Sequence, residues 1–264
     1  MSKVILITGT SSGFGKSIAE KLHSSGHIVI GTSRNADSVK SDFKTMNLDI
    51  NNYQMSKNLI SKIIETHGKI DILINNAGIN ITGPLESAKM SDIKNVFDTN
   101  FFSHLNMIQN ILPQMRLNKS GLIINVTSIA GYLGLPFWGA YCASKASFNI
   151  IAESLNIELK NFNIDVVNVA PGDYKTEILS NRVDSIEDSK SPYYNEYSRV
   201  IDSVNSKMEH GRDPIEVAEL VLKIINQKNP KINYLVGGFL EKKITLKSLF
   251  PDKLFQKIIM KLYK

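Results

Sequence analysis

The sequence is poor in the residues that would staple a chain or anchor it in a bilayer. Its one cysteine among 264 residues, Cys142, excludes a disulfide within the chain. Five scattered histidines and that cysteine form no ligand set. His23 and His27 stand four apart, but Gly26 interrupts the helix that would pair them, so no metal is expected. No apolar run approaches the ~20 residues of a membrane-crossing helix. The first apolar segment, 4–7, meets Thr8-Gly9 at once and is too short for a secretory leader. A cytoplasmic protein is the expectation. A broad charge imbalance is missing too. The net charge is +6, but residues 241–264 hold seven lysines against Glu241 and Asp252, which leaves +1 for the other 240 residues. A near-neutral body with a basic tail does not call for a nucleic-acid partner.

What is present is a regular alternation. Apolar runs at 4–8, 27–33, 47–50, 71–75, 122–127, 164–169 and 234–236 read as strands. Amphipathic spacing at 16–23, 54–66, 140–160 and 214–226 reads as helix. One long helix is expected from an N-cap at Ser91 to about Met115, broken near its end by Pro113. Strand and helix in turn predict an α/β fold: a doubly wound parallel sheet of the Rossmann kind, in one domain over 1–240. Residues 177–211, rich in Ser, Asp, Asn and Tyr, read as a long irregular loop, and a loop of that length is expected to hold substrate.

Two stretches carry dinucleotide chemistry. Gly9-Thr10-Ser11-Ser12-Gly13-Phe14-Gly15 lies between the first strand and the first helix. Glycines let the backbone approach a pyrophosphate, and a helix N-terminus offers free N–H groups and positive potential. The second strand ends in Thr32-Ser33-Arg34, where a site for NAD usually places an acid. An arginine can pair with a 2′-phosphate, so NADP(H) is favoured over NAD(H), with Asp37 as a competing ribose ligand. Gly9-Thr-Ser11-Ser-Gly13 also fits a hydrolase elbow with Ser11 as nucleophile. That reading needs a later acid and histidine, and His210 is the only histidine after His104.

Ser128, Tyr141 and Lys145 carry acid–base chemistry. Tyrosine and lysine four apart share a helix face, so an ammonium can act on a phenol that otherwise titrates near ~10. The expectation is a phenol drawn down toward working pH, with the Ser128 hydroxyl holding a substrate oxygen.

Taken together, Thr8-Gly9-x-x-x-Gly13-x-Gly15, Asp49, Asn75-Asn76-Ala77-Gly78, Asn100, Ser128, Tyr141-x-x-x-Lys145 and Pro171-Gly172-x-x-x-Thr176 resemble the short-chain dehydrogenase/reductase family over nearly all of 1–240. Gly83-Pro-Leu-Glu86 and Gly134-Leu-Pro-Phe137 look like its branch of 17β-hydroxysteroid and retinol dehydrogenases. The resemblance implies an alcohol or carbonyl substrate of lipophilic character. It implies that Asp49 and Ile50 meet the adenine, that Asn76, Ala77 and Gly78 line the cofactor, and that Asn100 holds a water in a proton relay behind Lys145. It also implies that Lys145 binds the nicotinamide ribose, and that Pro171, Gly172 and Thr176 flank the nicotinamide. Homodimers or homotetramers are implied as well. Some relatives only bind the cofactor, as sensors or scaffolds; the intact Asn100, Ser128, Tyr141 and Lys145 argue against that role here. Asp173-Tyr174-Lys175 is more polar than the family's usual content at that place.

Aromatics at Phe137, Trp138, Tyr193, Tyr194 and Tyr197 are candidates for the substrate cleft. In the tail, 241–264, Lys253, Lys257, Lys261 and Lys264 recur about once per helical turn beside Leu254, Phe255, Ile258, Ile259 and Leu262. That pattern predicts a basic amphipathic helix. It is a candidate for peripheral contact with an anionic membrane through 246–264, for a lid, or for packing on its own domain.

Overall fold

Val-Ile-Leu-Ile at 4–7 and Ile-Leu-Ile-Asn at 72–75 are buried at every position, as in strands covered on both faces. The computed structural model describes residues 1–176, 182–185, 189–238, 244, 247 and 250–262. It pairs these two segments at the centre of a seven-stranded, all-parallel sheet. The strands are β1 (Val4–Ile7), β2 (Ile28–Ser33), β3 (Lys44–Asn47), β4 (Ile72–Asn75), β6 (Gly121–Val126), β7 (Ile164–Pro171) and β9 (Asn233–Val236). Their spatial order is β3-β2-β1-β4-β6-β7-β9. The direction of winding reverses at β1, which opens a crevice at the carboxyl ends of the strands. A second, two-stranded parallel sheet joins β5 (Asn80–Thr82) to β8 (Arg182–Asp184).

Helices cover both faces, as expected for a doubly wound sheet. On one face Leu59 and Ile63 of α2 (Tyr53–His67), Met107 and Ile111 of α4 (Ser103–Leu117) and Phe148 and Ala152 of α5 (Gly139–Glu158) pack on Leu6, Leu73 and Ile123. On the other, Ile18 and Leu22 of α1 (Gly13–Ser24) and Val217 and Val221 of α7 (Ile215–Ile225) pack on Ile5, Ile7, Ile74 and Ile124. Full burial of each such side chain contributes about 1.5–3 kcal/mol.

A polar seam crosses this apolar core. Asn75, Asn125, Asn168 and Asn233 stand in register on β4, β6, β7 and β9. Each side-chain Nδ2 donates to the next Oδ1, at 3.0, 3.1 and 3.1 Å, and Asn168 Nδ2 also donates to the Phe148 carbonyl at 3.0 Å. A slip of one residue in any pairing would turn a rung to the opposite face and leave its neighbour's amide unsatisfied.

Several elements depart from the sequence expectations. The third strand is Lys44–Asn47, not 47–50, because pairing with β2 from Ile30 to Ser33 claims the earlier residues. The single helix expected from Ser91 is two: α3 (Met90–Phe97) and α4, divided by a π-helical turn, Asp98–Phe102. Lys89, not Ser91, is its N-cap. Pro113 lies inside α4, whose buried Met107, Ile108, Ile111 and Met115 offset the missing hydrogen bond. The expected loop 177–211 contains β8 and α6 (Tyr194–Glu209); its residues 177–181 and 186–188 lie outside the described residues. In the tail, α8 (Asp252–Leu262) forms as expected, with Ile259 buried and Leu254, Ile258 and Met260 exposed. Residues 241–243, 245–246, 248–249 and 263–264 lie outside the described residues, Lys264 among them. No helix among the described residues is long and apolar enough to cross a membrane.

Replacing Asn168 by leucine should strand the Asn125 amide, the Asn233 carbonyl oxygen and the Phe148 carbonyl. The expected loss is about 3 kcal/mol of unfolding free energy in urea titration. A loss under about 1 kcal/mol would mean the seam does not constrain the sheet.

Candidate active site

A cleft of about 630 Å³ follows the carboxyl ends of β1, β2, β3, β4, β6 and β7. Gly9 holds φ at +70°, a left-handed conformation, and a Cβ on it would lie 2.9 Å from the Ala77 Cα. A Cβ on Gly15 would overlap the Gly9 carbonyl oxygen and the Asn76 side-chain amide. Asn76 Nδ2 donates to the carbonyls of Thr8 and Gly9, both at 2.9 Å. In return, Thr8 Oγ1 accepts from the backbone N–H groups of Asn76 and Ala77 at 2.9 and 3.1 Å. The turns after β1 and β4 are thus tied into one rigid ledge. Ser11, Ser12, Gly13 and Phe14 line the cleft from it, and no side chain caps the N-terminus of α1. Thr10 and Gly15 do not line it. Thr10 is buried with its N–H on the Thr32 carbonyl at 2.8 Å, and Gly15 lets α1 start against Gly9.

Beyond this ledge lie Ser33 at the end of β2 and Arg34, Asn35 and Ser38 after it, with Asp49, Ile50 and Asn51 after β3. Arg34 is exposed and forms no ion pair among the described residues. Asp37, in the short 3-10 turn between Asn35 and Ser38, does not itself line the cleft. Because β3 ends at Asn47, Asp49 sits past the strand, with its carboxylate accepting from the Asn51 N–H at 3.0 Å.

Toward β6 and β7 the cleft meets Ser128, Tyr141, Lys145, Pro171, Gly172 and Thr176. Tyr141, Lys145, Phe148 and Ala152 form one buried stripe of α5, so the packing that seats the helix also aims the pair. Lys145 Nζ lies 6.0 Å from the Tyr141 ring centre and donates to the Val126 carbonyl at 3.2 Å. Burial acts oppositely on the two groups. It pushes the phenol up to about 12, against a lowering hydrogen bond with Ser128. It pushes the lysine down to about 8. Burial of the phenolate thus works against the sequence expectation of a phenol drawn down by its lysine. His104, behind this pair on α4, is lowered to about 3, first by burial and then by Lys145.

Asn100 does not line the cleft. Held in the π-helical turn, its Oδ1 accepts from the Ile79 N–H and its Nδ2 donates to the Ile79 carbonyl, both at 2.9 Å, with Ser144 Oγ at 3.1 Å. It fixes the backbone that carries Gly78 and Asn80 into the cleft. The polar Asp173-Tyr174-Lys175 segment is anchored rather than loose. Tyr174 is buried edge-on to Phe14, with ring centres 5.4 Å apart.

The remaining wall is apolar in part, from Leu135, Trp138, Val204 and Met208. Of the five aromatics proposed from sequence, only Trp138 lines the cleft. Tyr193 bonds Glu86 at 2.6 Å, and Phe137 packs edge-on to Tyr197 at 5.5 Å. Tyr197 helps to clasp α6 to β5. Asp184 accepts from Thr82 Oγ1 at 2.6 Å, Tyr197 OH at 2.7 Å and Arg182 Nε at 2.6 Å, while Arg182 reaches Asn205 of α6 at 3.2 Å. Burial would raise the Asp184 carboxyl, but these donors hold it below the usual range. Sequence reading missed Asn80, while Val204 and Met208 fall in the 177–211 segment expected to hold substrate without having been singled out. No hydrogen bond joins Ser11 to a histidine, and His104 packs against Phe148, so the hydrolase arrangement does not assemble.

The sequence matches the short chain dehydrogenase family over residues 3–187. It is 36% identical over 256 residues to a 3-ketodihydrosphingosine reductase of Bacteroides thetaiotaomicron, covering 96% of this chain and 95% of that one. An NADPH-dependent 3-dehydrocapnine reductase of Ornithobacterium rhinotracheale is 29% identical over 273 residues, covering 97% and 95%. Among solved structures, a short-chain dehydrogenase from Streptomyces avermitilis superposes with a TM-score of 0.85 at 26% identity, covering 98% and 95%.

If burial governs Tyr141, ultraviolet difference titration of the free protein against Tyr141→Phe should show no phenolate from this residue through neutral pH, with onset toward about 12. A Tyr141 phenolate below about pH 9 would mean that the ammonium wins.

Proposed function

The chain belongs to the short-chain dehydrogenase/reductase family, and from this premise we propose that it is an NADP-linked oxidoreductase reducing a carbonyl on a lipophilic small molecule, with Tyr141 as the acid. Membership makes it an NAD(P)-dependent enzyme. One observation carries the finer reading: Ser128, Tyr141 and Lys145 share a single cleft with the glycine ledge and Arg34.

The ledge fits a dinucleotide pyrophosphate, since side chains at Gly9 and Gly15 would collide with Ala77 and Asn76. Arg34 would take a 2′-phosphate, Asp49 and Ile50 the adenine, and Lys145 the nicotinamide ribose. Pro171, Gly172 and Thr176 would flank the nicotinamide beside Ala77 and Gly78. When bound, the cofactor supplies the hydride. Tyr141 holds its proton through neutral pH, the state needed to donate to a carbonyl oxygen as negative charge develops there. Ser128 offers that oxygen a second hydroxyl. Lys145 stays charged below about pH 8 and stabilises the phenolate left behind. Leu135, Trp138, Val204 and Met208 exclude water and favour an apolar substrate. The relatives' names, 3-ketodihydrosphingosine and 3-dehydrocapnine reductase, support a lipophilic ketone and the direction of reduction.

The reading extends to assembly and to the tail. Leu117, Ile150 and Ile157 expose apolar surface on α4 and α5, and we assign it to a homodimer or homotetramer. Lys253, Lys257 and Lys261 with the exposed Leu254, Ile258 and Met260 suit peripheral contact with an anionic bilayer. Ultracentrifugation alone and with anionic vesicles tests both. The chain should run as an oligomer and co-sediment with vesicles, and reversing the three lysines to glutamate should abolish co-sedimentation. A monomer, or binding that ignores the reversal, counts against the respective part.

Tyr141→Phe should bind NADPH normally and lose about 10²–10⁴-fold in turnover of a ketone substrate, read by NADPH absorbance. Near-normal reduction would remove Tyr141 from the chemistry. Arg34→Asp should weaken NADPH far more than NADH; equal losses would remove the 2′-phosphate contact.

A further inference from the structure

Past Pro171 the chain leaves β7 and crosses the glycine turn, and Tyr174 stands in the middle of that crossing, 1% exposed. Backbone bonds hold the segment on one side. Gly172 N–H donates to the Val236 carbonyl at 2.8 Å, Lys175 N–H to the Arg212 carbonyl at 3.0 Å, and Arg212 N–H to the Asp173 carbonyl at 3.3 Å. Tyr174 and Arg212 thereby form an isolated parallel β-bridge. Gly211 permits this approach. A Cβ there would lie 2.8 Å from the Tyr174 carbonyl carbon and 2.9 Å from the Met208 carbonyl oxygen. On the other side the segment rests on the glycine turn. The Tyr174 ring meets Phe14 with centres 5.4 Å apart and planes at 71°, an edge-to-face arrangement that aromatic pairs favour. Thr176 closes on Gly13, where an added Cβ would lie 3.5 Å from the Thr176 Cβ. The Tyr174 hydroxyl donates to Glu216 Oε2 over 3.3 Å, and Arg212 fixes that carboxylate with two bonds of 2.8 and 2.9 Å. An exposed ion pair adds little stability, but its fork sets a direction for the phenol.

We infer that Tyr174 is a positioning residue that sets the separation between the glycine turn and the 171–176 segment. This rests on the NADP reading and deepens it. If the turn takes the pyrophosphate while Pro171, Gly172 and Thr176 flank the nicotinamide, the Tyr174–Phe14 contact is the joint between the two halves of the cofactor site. Each half has its own backbone support, the turn through Asn76 and the segment through Val236 and Arg212. Loosening the joint therefore leaves each half able to bind its own part of a dinucleotide, and removes the fixed distance that lets one ligand satisfy both.

The test is binding of NADPH and of 2′,5′-ADP by the whole chain, measured by calorimetry. The second ligand ends at its first phosphate and never reaches the nicotinamide side. Tyr174→Leu keeps apolar volume and removes the edge contact. It should raise the Kd for NADPH about 5–10-fold and leave that for 2′,5′-ADP within about twofold. It should also lower the fluorescence of bound NADPH at saturation, because the nicotinamide is held less firmly. Tyr174→Phe keeps the ring and should restore both readouts. Phe14→Leu breaks the same contact from the turn and repeats the measurement should Tyr174→Leu fail to fold. Where both fold, the double variant should be no worse than either single one. Equal weakening of NADPH and 2′,5′-ADP would reduce Tyr174 to a stabiliser of the fold, and unchanged binding of both would mean that the joint sets nothing. Either result overturns the inference while the cofactor reading stands. A wild type that does not bind NADPH would overturn the cofactor reading itself, and the inference with it.

Discussion

The asparagine seam is the constraint on which the site depends. Four side-chain amides, those of Asn75, Asn125 and Asn168 buried and that of Asn233 half-buried, lock β4, β6, β7 and β9 at one height. Gly78, Ser128 and Pro171 each stand three residues past a rung, after Asn75, Asn125 and Asn168, and all three line the cleft. An apolar core alone would tolerate small shifts between strands, because dispersion and burial are not directional. Amide pairs do not tolerate them. The seam therefore converts a pattern of side chains deep in the sheet into a common level for three loop residues at its edge. The Thr8–Asn76 ties do the same between β1 and β4.

Electrostatics in the cleft follow from burial rather than from pairing. Tyr141 and Lys145 are both enclosed, and enclosure disfavours the charged form of each. The phenol is kept protonated and the lysine comes close to titrating at physiological pH. His104 is kept neutral by the same burial, with the lysine adding to the effect. Lysine is then the single cation held behind the phenol among the described residues of that region. Charge appearing on the phenol after proton donation would meet it with little water between, where the interaction is strongest.

Much of this was legible in the sequence. The glycine turn, Arg34, Asn76 to Gly78, Ser128, Tyr141 and Lys145 could be read because each lies at a strand end or on a helix stripe, where local pattern sets position. Failures fall where tertiary packing overrules local preference. Pro113 does not end α4, since four core side chains hold the helix on both sides of it. The third strand is displaced because its partner sets its register. Ser, Asp and Asn at 177–211 looked like loop, yet Asp184 finds Thr82 about a hundred residues away and makes a strand of its segment. Spacing showed that Tyr141 and Lys145 would meet, but burial, which spacing does not reveal, decided their protonation.

The two halves of the cleft are built by different means. The dinucleotide side is a matter of backbone: two turns laced by Thr8 and Asn76, with glycine where any side chain would collide. Little there can vary without losing the ledge. The opposite wall is hung largely on side chains: β8 pairs with β5 along the backbone, and α6 is clasped to both where Thr82, Asp184 and Tyr197 meet. Replacing a wall residue such as Val204 or Met208 alters the cavity without touching the ledge. The ledge is thus rigidly built, while the opposite wall is held by separable contacts.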